Sequence, residues 1–199
     1  GEGIPVLEGI GKILSKAMQL KECATQYLVV NGEVYGAAAM LGAIANFTFF
    51  LEKKSVLAIN SPFVLSAKAG KNLAADAVGG VKALNGTCIP SFTVENLGEV
   101  REKILAITSI WTEPVIDAEL NQSLPALNVS CDAQNLLSIF ETYLEVGNGY
   151  LTDVKTILGR IGGISVAAVV FDAEDGVELD ALKIAKIKIF AELAIFCDL

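Results

Sequence analysis

Val34-Tyr-Gly-Ala-Ala-Ala-Met-Leu-Gly-Ala-Ile-Ala-Asn-Phe-Thr-Phe-Phe-Leu51 is an 18-residue run without a charge, bounded by Glu33 and by Glu52-Lys53-Lys54. Its length just reaches that of a membrane span. Gly32 and Gly36 would allow close helix approach. A sequon, Asn46-Phe-Thr48, lies inside the run, and no second span accompanies it. The reading adopted is a central helix enclosed by its neighbours, because a helix apolar on all faces must be covered on all faces.

Working outward, residues 6–30 read as a helix with Leu7, Ile10, Leu14, Ala17 and Met18 on one face, stopped by Asn31-Gly32. Ser61-Pro62 opens a helix reaching Leu84, with Ser as cap and Pro in the first turn. Thr93 caps the next, whose stripe is Leu97, Val100, Ile104, Ile107 and Trp111. Glu113-Pro114 opens a short helix or turn, and 121–128 is a polar loop. Ser130 caps a helix through Phe140 and Leu144, and Leu151 to Ile161 forms another, ended by Gly162-Gly163. Ile164 to Phe171 fits either a buried strand or a short core helix. The last helix covers about 178–196. Lys183, Lys186 and Lys188 alternate there with isoleucines, so a hairpin with 164–171 is an alternative.

The expected fold is therefore all-α: one compact multi-helix bundle of about seven to nine helices over 1–199, stapled by disulfides. Cys23 and Cys88 are spaced much like Cys131 and Cys197, which suggests two related halves, 1–120 and 121–199.

Composition narrows the function. The chain has 199 residues, 53% hydrophobic and 19% charged, with a mean hydropathy of +0.54, which excludes disorder. Its 23 acids against 15 bases give −8, which disfavours nucleic acid as a partner. Four sequons begin at Asn46, Asn85, Asn121 and Asn128, and four cysteines carry no CxxC spacing. Both observations favour a secretory, extracellular setting with two disulfides among Cys23, Cys88, Cys131 and Cys197. Asn85, Asn121 and Asn128 are the glycan candidates, since aromatic residues crowd Asn46. The start, Gly1-Glu2-Gly3-Ile4-Pro5, has no signal-peptide pattern, so a secreted chain would be a mature form.

Reactive groups are scarce. Histidine is absent, so no Ser-His-Asp or Cys-His set can be built. There is no Gly-x-Ser-x-Gly elbow and no phosphate loop. Asp172, Glu174, Asp175, Glu178 and Asp180 cluster without the order of a calcium loop, and read as a solvated turn. No catalytic residue, metal or cofactor is expected. The expectation is a secreted, non-enzymatic protein that binds lipid or another apolar ligand. Leu41, Ile44, Phe47, Phe50, Val169, Phe171, Ile189 and Phe196 are the contact candidates. The alternatives are a surfactant that opens at an air–water or lipid boundary, and a subunit of an extracellular assembly, including a homo-oligomer.

Overall fold

The computed structural model describes residues 3–84, 87, 89–112, 136–147, 151–171 and 178–198. Helix α1 (Ile4–Lys21) is followed by strands β1 (Tyr27–Val30) and β2 (Glu33–Tyr35). Next come a 3-10 turn (Gly36–Met40), helix α2 (Leu41–Ile44), and strands β3 (Phe47–Leu51) and β4 (Val56–Ala58). Then follow α3 (Pro62–Ala69), α4 (Ala75–Gly79), α5 (Val81–Leu84), β5 (Phe92–Val94) and α6 (Leu97–Thr112). Strands β6 (Thr142–Val146), β7 (Val154–Ile161) and β8 (Ile164–Phe171) precede helix α7 (Ala181–Ala194). The fold is mixed α/β, which overturns the all-α bundle.

The chain divides into two compact units, 1–100 and 101–199. In the first, β1, β3 and β5 form a parallel sheet in that order, with Tyr27 opposite Phe47 and Phe49 opposite Phe92. β2 and β4 form a second parallel pair. The run 34–51 contains no long helix because its apolar length serves three short elements. Every residue of β3 is buried. A parallel strand covered on both faces shows no alternation, so its sequence imitates a buried helix. Phe47 and Phe49 stack against Phe92 on one face. Phe50 packs with Val30, Ala39 and Leu57 on the other. Asn46 starts the strand: its Oδ1 accepts from the Gln26 N–H at 2.9 Å, and the Gln26 carbonyl accepts from the N–H groups of Asn46 and Phe47. Asn46 is therefore buried and engaged, with no room for a glycan.

Two helix signals from the sequence hold. Ser61 Oγ accepts from the Val64 N–H. The stripe on α6 buries Val100 and Ile107, with Ile110 beside them. The cap of α6 is Asn96, not Thr93, which lies in β5. Asn96 Oδ1 accepts from the Glu99 N–H, and the Glu99 carboxylate accepts from the Asn96 side-chain amide and from the Glu95 N–H, an arrangement close to a capping box but shifted by one residue.

In the second unit β6, β7 and β8 form an antiparallel meander. Gly162 and Gly163, both at positive φ, make the two-residue turn between β7 and β8. Of the helix expected over 130–144, residues 130–135, including the Ser130 cap, lie outside the described residues, 136–137 are helical and 142–144 belong to β6; the helix expected over 151–161 gives way to β7. β7 buries Val154, Thr156, Ile157 and Leu158, again on both faces. Helix α7 stands near the sequence expectation, so the hairpin partner of β8 is β7. Asp180 caps α7 through Oδ1. Lys186 is buried, and its ammonium donates to the Val154 carbonyl at 2.7 Å. Lys183 pairs with Asp153 at 2.5 Å.

Cys23 and Cys197 carry free thiols, which overturns the disulfide staples proposed for them. Cys23 sits exposed after α1, whereas Cys197 accepts from the Trp111 indole N–H at 3.4 Å. Cys88, Cys131 and the glycan candidates Asn85, Asn121 and Asn128 lie outside the described residues. Among the described residues no helix is long and apolar enough to cross a membrane.

Candidate functional site

The parallel register of β1, β3 and β5 brings their carboxyl ends, at Val30, Leu51 and Val94, to one edge of the sheet. In open α/β sheets this edge is where ligands bind. Ser55 closes the turn after β3: its Oγ accepts from the Leu51 N–H at 2.7 Å and donates to the Val30 carbonyl of the neighbouring strand. The Val56 N–H reaches the Gly32 carbonyl, and the Glu52 N–H reaches that of Val94. All three strand ends are thereby tied into one rigid rim.

A cleft of about 450 Å³ opens at this rim. Its charged lining is Glu33, Glu52, Lys53, Lys54, Asp76 and Lys82, with buried Ser55 at the turn. Three lysines and three acidic residues thus line one cavity. The Tyr35 hydroxyl donates to Glu33 Oε2 at 2.8 Å. Desolvation, and then the Glu33 carboxylate, push the Tyr35 phenol above its ordinary 10.0, so it stays a donor at neutral pH. A second cleft of about 390 Å³ is apolar, lined by Met40, Leu57, Ile59, Leu65 and Val78, with Asn60 as its amide. Helix α4 contributes to both clefts, Asp76 to the first and Val78 to the second. Gly79 lets α4 approach β4, because a Cβ there would overlap the Leu57 carbonyl.

None of the eight apolar contact candidates lines either cleft. Phe47 and Phe50 are fully buried in the first unit, where Leu41 and Ile44 are half-buried. In the second unit Val169 is half-buried, Phe171 and Ile189 are exposed, and Phe196 packs on Trp111. The cleft residues were passed over because Glu33 and Glu52-Lys53-Lys54 read only as the borders of an apolar run. Charges that bracket both ends of such a run mark where buried strands reach solvent, and that signal could have found them. Among the described residues no cluster of side chains could hold a metal ion.

Fold and rim together define an α/β protein with a charged cleft at the carboxyl ends of parallel strands. Known proteins make the class more particular. The chain is 26% identical, over 99% of its length, to the methylmalonyl-CoA carboxyltransferase 12S subunit of Propionibacterium freudenreichii subsp. shermanii, covering 41% of that protein. It is 24% identical, over 84% of its length, to the methylmalonyl-CoA decarboxylase subunit alpha of Veillonella parvula, covering 37% of it. A crystal structure of transcarboxylase 12S, a hexamer with hydrolysed methylmalonyl-coenzyme A bound, matches with a TM-score of 0.68 and 26% identity. That match covers 86% of this chain and 37% of that one. No family model matches. The chain spans about two-fifths of the length of these curated relatives.

These relatives are enzyme subunits named for coenzyme A thioesters. That overturns the expectation of a non-enzymatic protein that binds lipid, and the surfactant alternative with it. Part of the apolar surplus that suggested oily ligands lies in strands buried on both faces, as in β3 and β7.

Proposed function

We propose that the chain is part of an enzyme that removes or transfers the carboxyl group of a short acyl-coenzyme A thioester such as methylmalonyl-CoA. The observation that carries this reading is similarity running through 99% of the chain to a carboxyltransferase subunit. The chemistry agrees with the composition. Breaking the C–C bond to a carboxyl group beside a thioester expels that group as CO2, lost to solvent or taken up by a nucleophilic acceptor, and leaves the electron pair as an enolate that is discharged by taking a proton. The main demand is then on hydrogen-bond donors that hold the developing negative oxygen, and backbone N–H groups supply these as well as side chains do. Neither a nucleophile nor a histidine base is required. The missing Ser-His-Asp set, which argued against catalysis in general, excludes acyl hydrolysis of that type and leaves this reaction open.

Titration calorimetry of the chain with methylmalonyl-CoA tests the proposal. Saturable binding is expected; the absence of heat at millimolar ligand would sink it. The chain is further proposed to assemble with copies of itself. Phe63, 83% exposed, and Ile59, 58% exposed, are apolar surface that a neighbouring subunit would cover. Light scattering should return a mass above the 21.0 kDa of one chain.

A further inference from the structure

Coenzyme A has two unlike ends. One is an adenosine carrying phosphates, a polyanion that also presents amine and hydroxyl donors. The other is a neutral arm of amides ending in the thioester. The two clefts of the first unit differ in the same way. The apolar cleft contains no charged side chain. The rim cleft contains Lys53, Lys54 and Lys82, and ammonium groups bind phosphate as compact point charges. It also contains Glu33, Glu52 and Asp76, which would oppose a ligand made of phosphate alone.

We propose that the rim cleft takes the nucleotide end of a coenzyme A thioester, with the three lysines on its phosphates and Glu33 accepting from an amine or hydroxyl of the nucleoside. This assignment rests on the coenzyme A reading above. Tyr35 is the positioning residue. Its hydroxyl donates to Glu33 Oε2 at 2.8 Å and so favours a carboxylate orientation in which Glu33 can also accept from a ligand donor. Both residues belong to β2, and the pairing of β2 with β4 fixes Glu33 opposite Val56, another residue of the cleft wall. A ligand that offers anions and donors together satisfies both signs of charge in the cavity; a simple polyanion does not.

Calorimetry with three probes decides it: adenosine 3′,5′-bisphosphate, pantetheine and methylmalonyl-CoA. The bisphosphate should bind and should compete with methylmalonyl-CoA. Replacing Lys53, Lys54 and Lys82 together by Ala should weaken both phosphate-bearing probes about tenfold or more, and leave pantetheine unchanged. Glu33→Gln and Tyr35→Phe should each weaken the bisphosphate about threefold to tenfold without changing its salt dependence, whereas the lysine variant should flatten that dependence. The replaced lysines, Glu33 and the Tyr35 hydroxyl lie at the surface, and circular dichroism confirms that each variant folds. Tight methylmalonyl-CoA binding that the bisphosphate cannot displace, or that ignores the lysine variant, overturns this assignment and leaves the coenzyme A reading standing. Failure of the unaltered chain to bind methylmalonyl-CoA at all overturns that reading and the assignment together.

Discussion

Ser55 is small and buried, and it joins two strands at the rim. Replacing it by Ala leaves the Leu51 N–H and the Val30 carbonyl without their partner. The expected loss is about 1–3 kcal/mol, read from urea unfolding. At the far end of the chain Ser165 donates to Asp198 from both Oγ, at 2.7 Å, and its backbone N–H. Those bonds hold the Asp198 carboxyl below its ordinary 3.8. A carboxyl with a depressed folded value stabilises the fold above its unfolded value and loses that contribution as pH falls through the folded one. The melting temperature should therefore drop as pH falls below 3.8, and Ser165→Ala should shrink that acid-side drop. Identical acid limbs in the two proteins would refute the assignment. Little of this was readable beforehand. A serine in a sequence does not announce which distant carbonyl it will meet, and Glu33 looked like punctuation because β2 was hidden inside a supposed helix.

Among the elements, segments with one exposed face are the ones legible from sequence. The stripe on α6 and the Ser61-Pro62 opening of α3 were legible because amphipathic spacing and capping are local properties. β3 and β7 were not, because burial on both faces erases the period of two. The small residues of 36–45 serve a 3-10 turn and one turn of α2, not the close helix approach expected at Gly32 and Gly36. Gly79 illustrates how such residues act. A methyl there collides with the Leu57 carbonyl and with Ala58 Cβ, so Gly79→Ala should force α4 away from β4. The cost should be about 1–3 kcal/mol, and because α4 lines both clefts, ligand affinity should fall as well. Gly42→Ala meets only the flexible tip of Leu57 and its neighbours and should cost less. Thermal melts of the two variants side by side check the ranking.

For the whole molecule, cysteine number and hydropathy pointed to a stapled, oily protein, and both signals had other causes. The thiols of Cys23 and Cys197 are free, so iodoacetamide should label Cys23 in the folded protein quickly. Burial pushes the Cys197 thiol up, so it should react more slowly than Cys23 in the folded protein. Mass mapping of the labelled peptides separates the two sites. Class and activity were out of reach because the chemistry proposed uses a rim of backbone and a cleft of common charges, neither of which leaves a motif.

The burial of Phe47-Thr-Phe-Phe-Leu51 between two other strands also has a cost in time. Its outer neighbour, Phe92–Val94, leaves the ribosome about 2–8 s later at ordinary rates of synthesis. Through that interval the nascent polypeptide displays a five-residue segment with four large apolar side chains, well suited to amyloid-like stacking. Glu52-Lys53-Lys54 follows at once, and flanking charges of this kind are gatekeepers against self-association. The lysines proposed to hold phosphate in the finished protein would thus first keep the unfinished one from clumping, and neutralising them should lower soluble yield even where the purified variant is as stable as the parent.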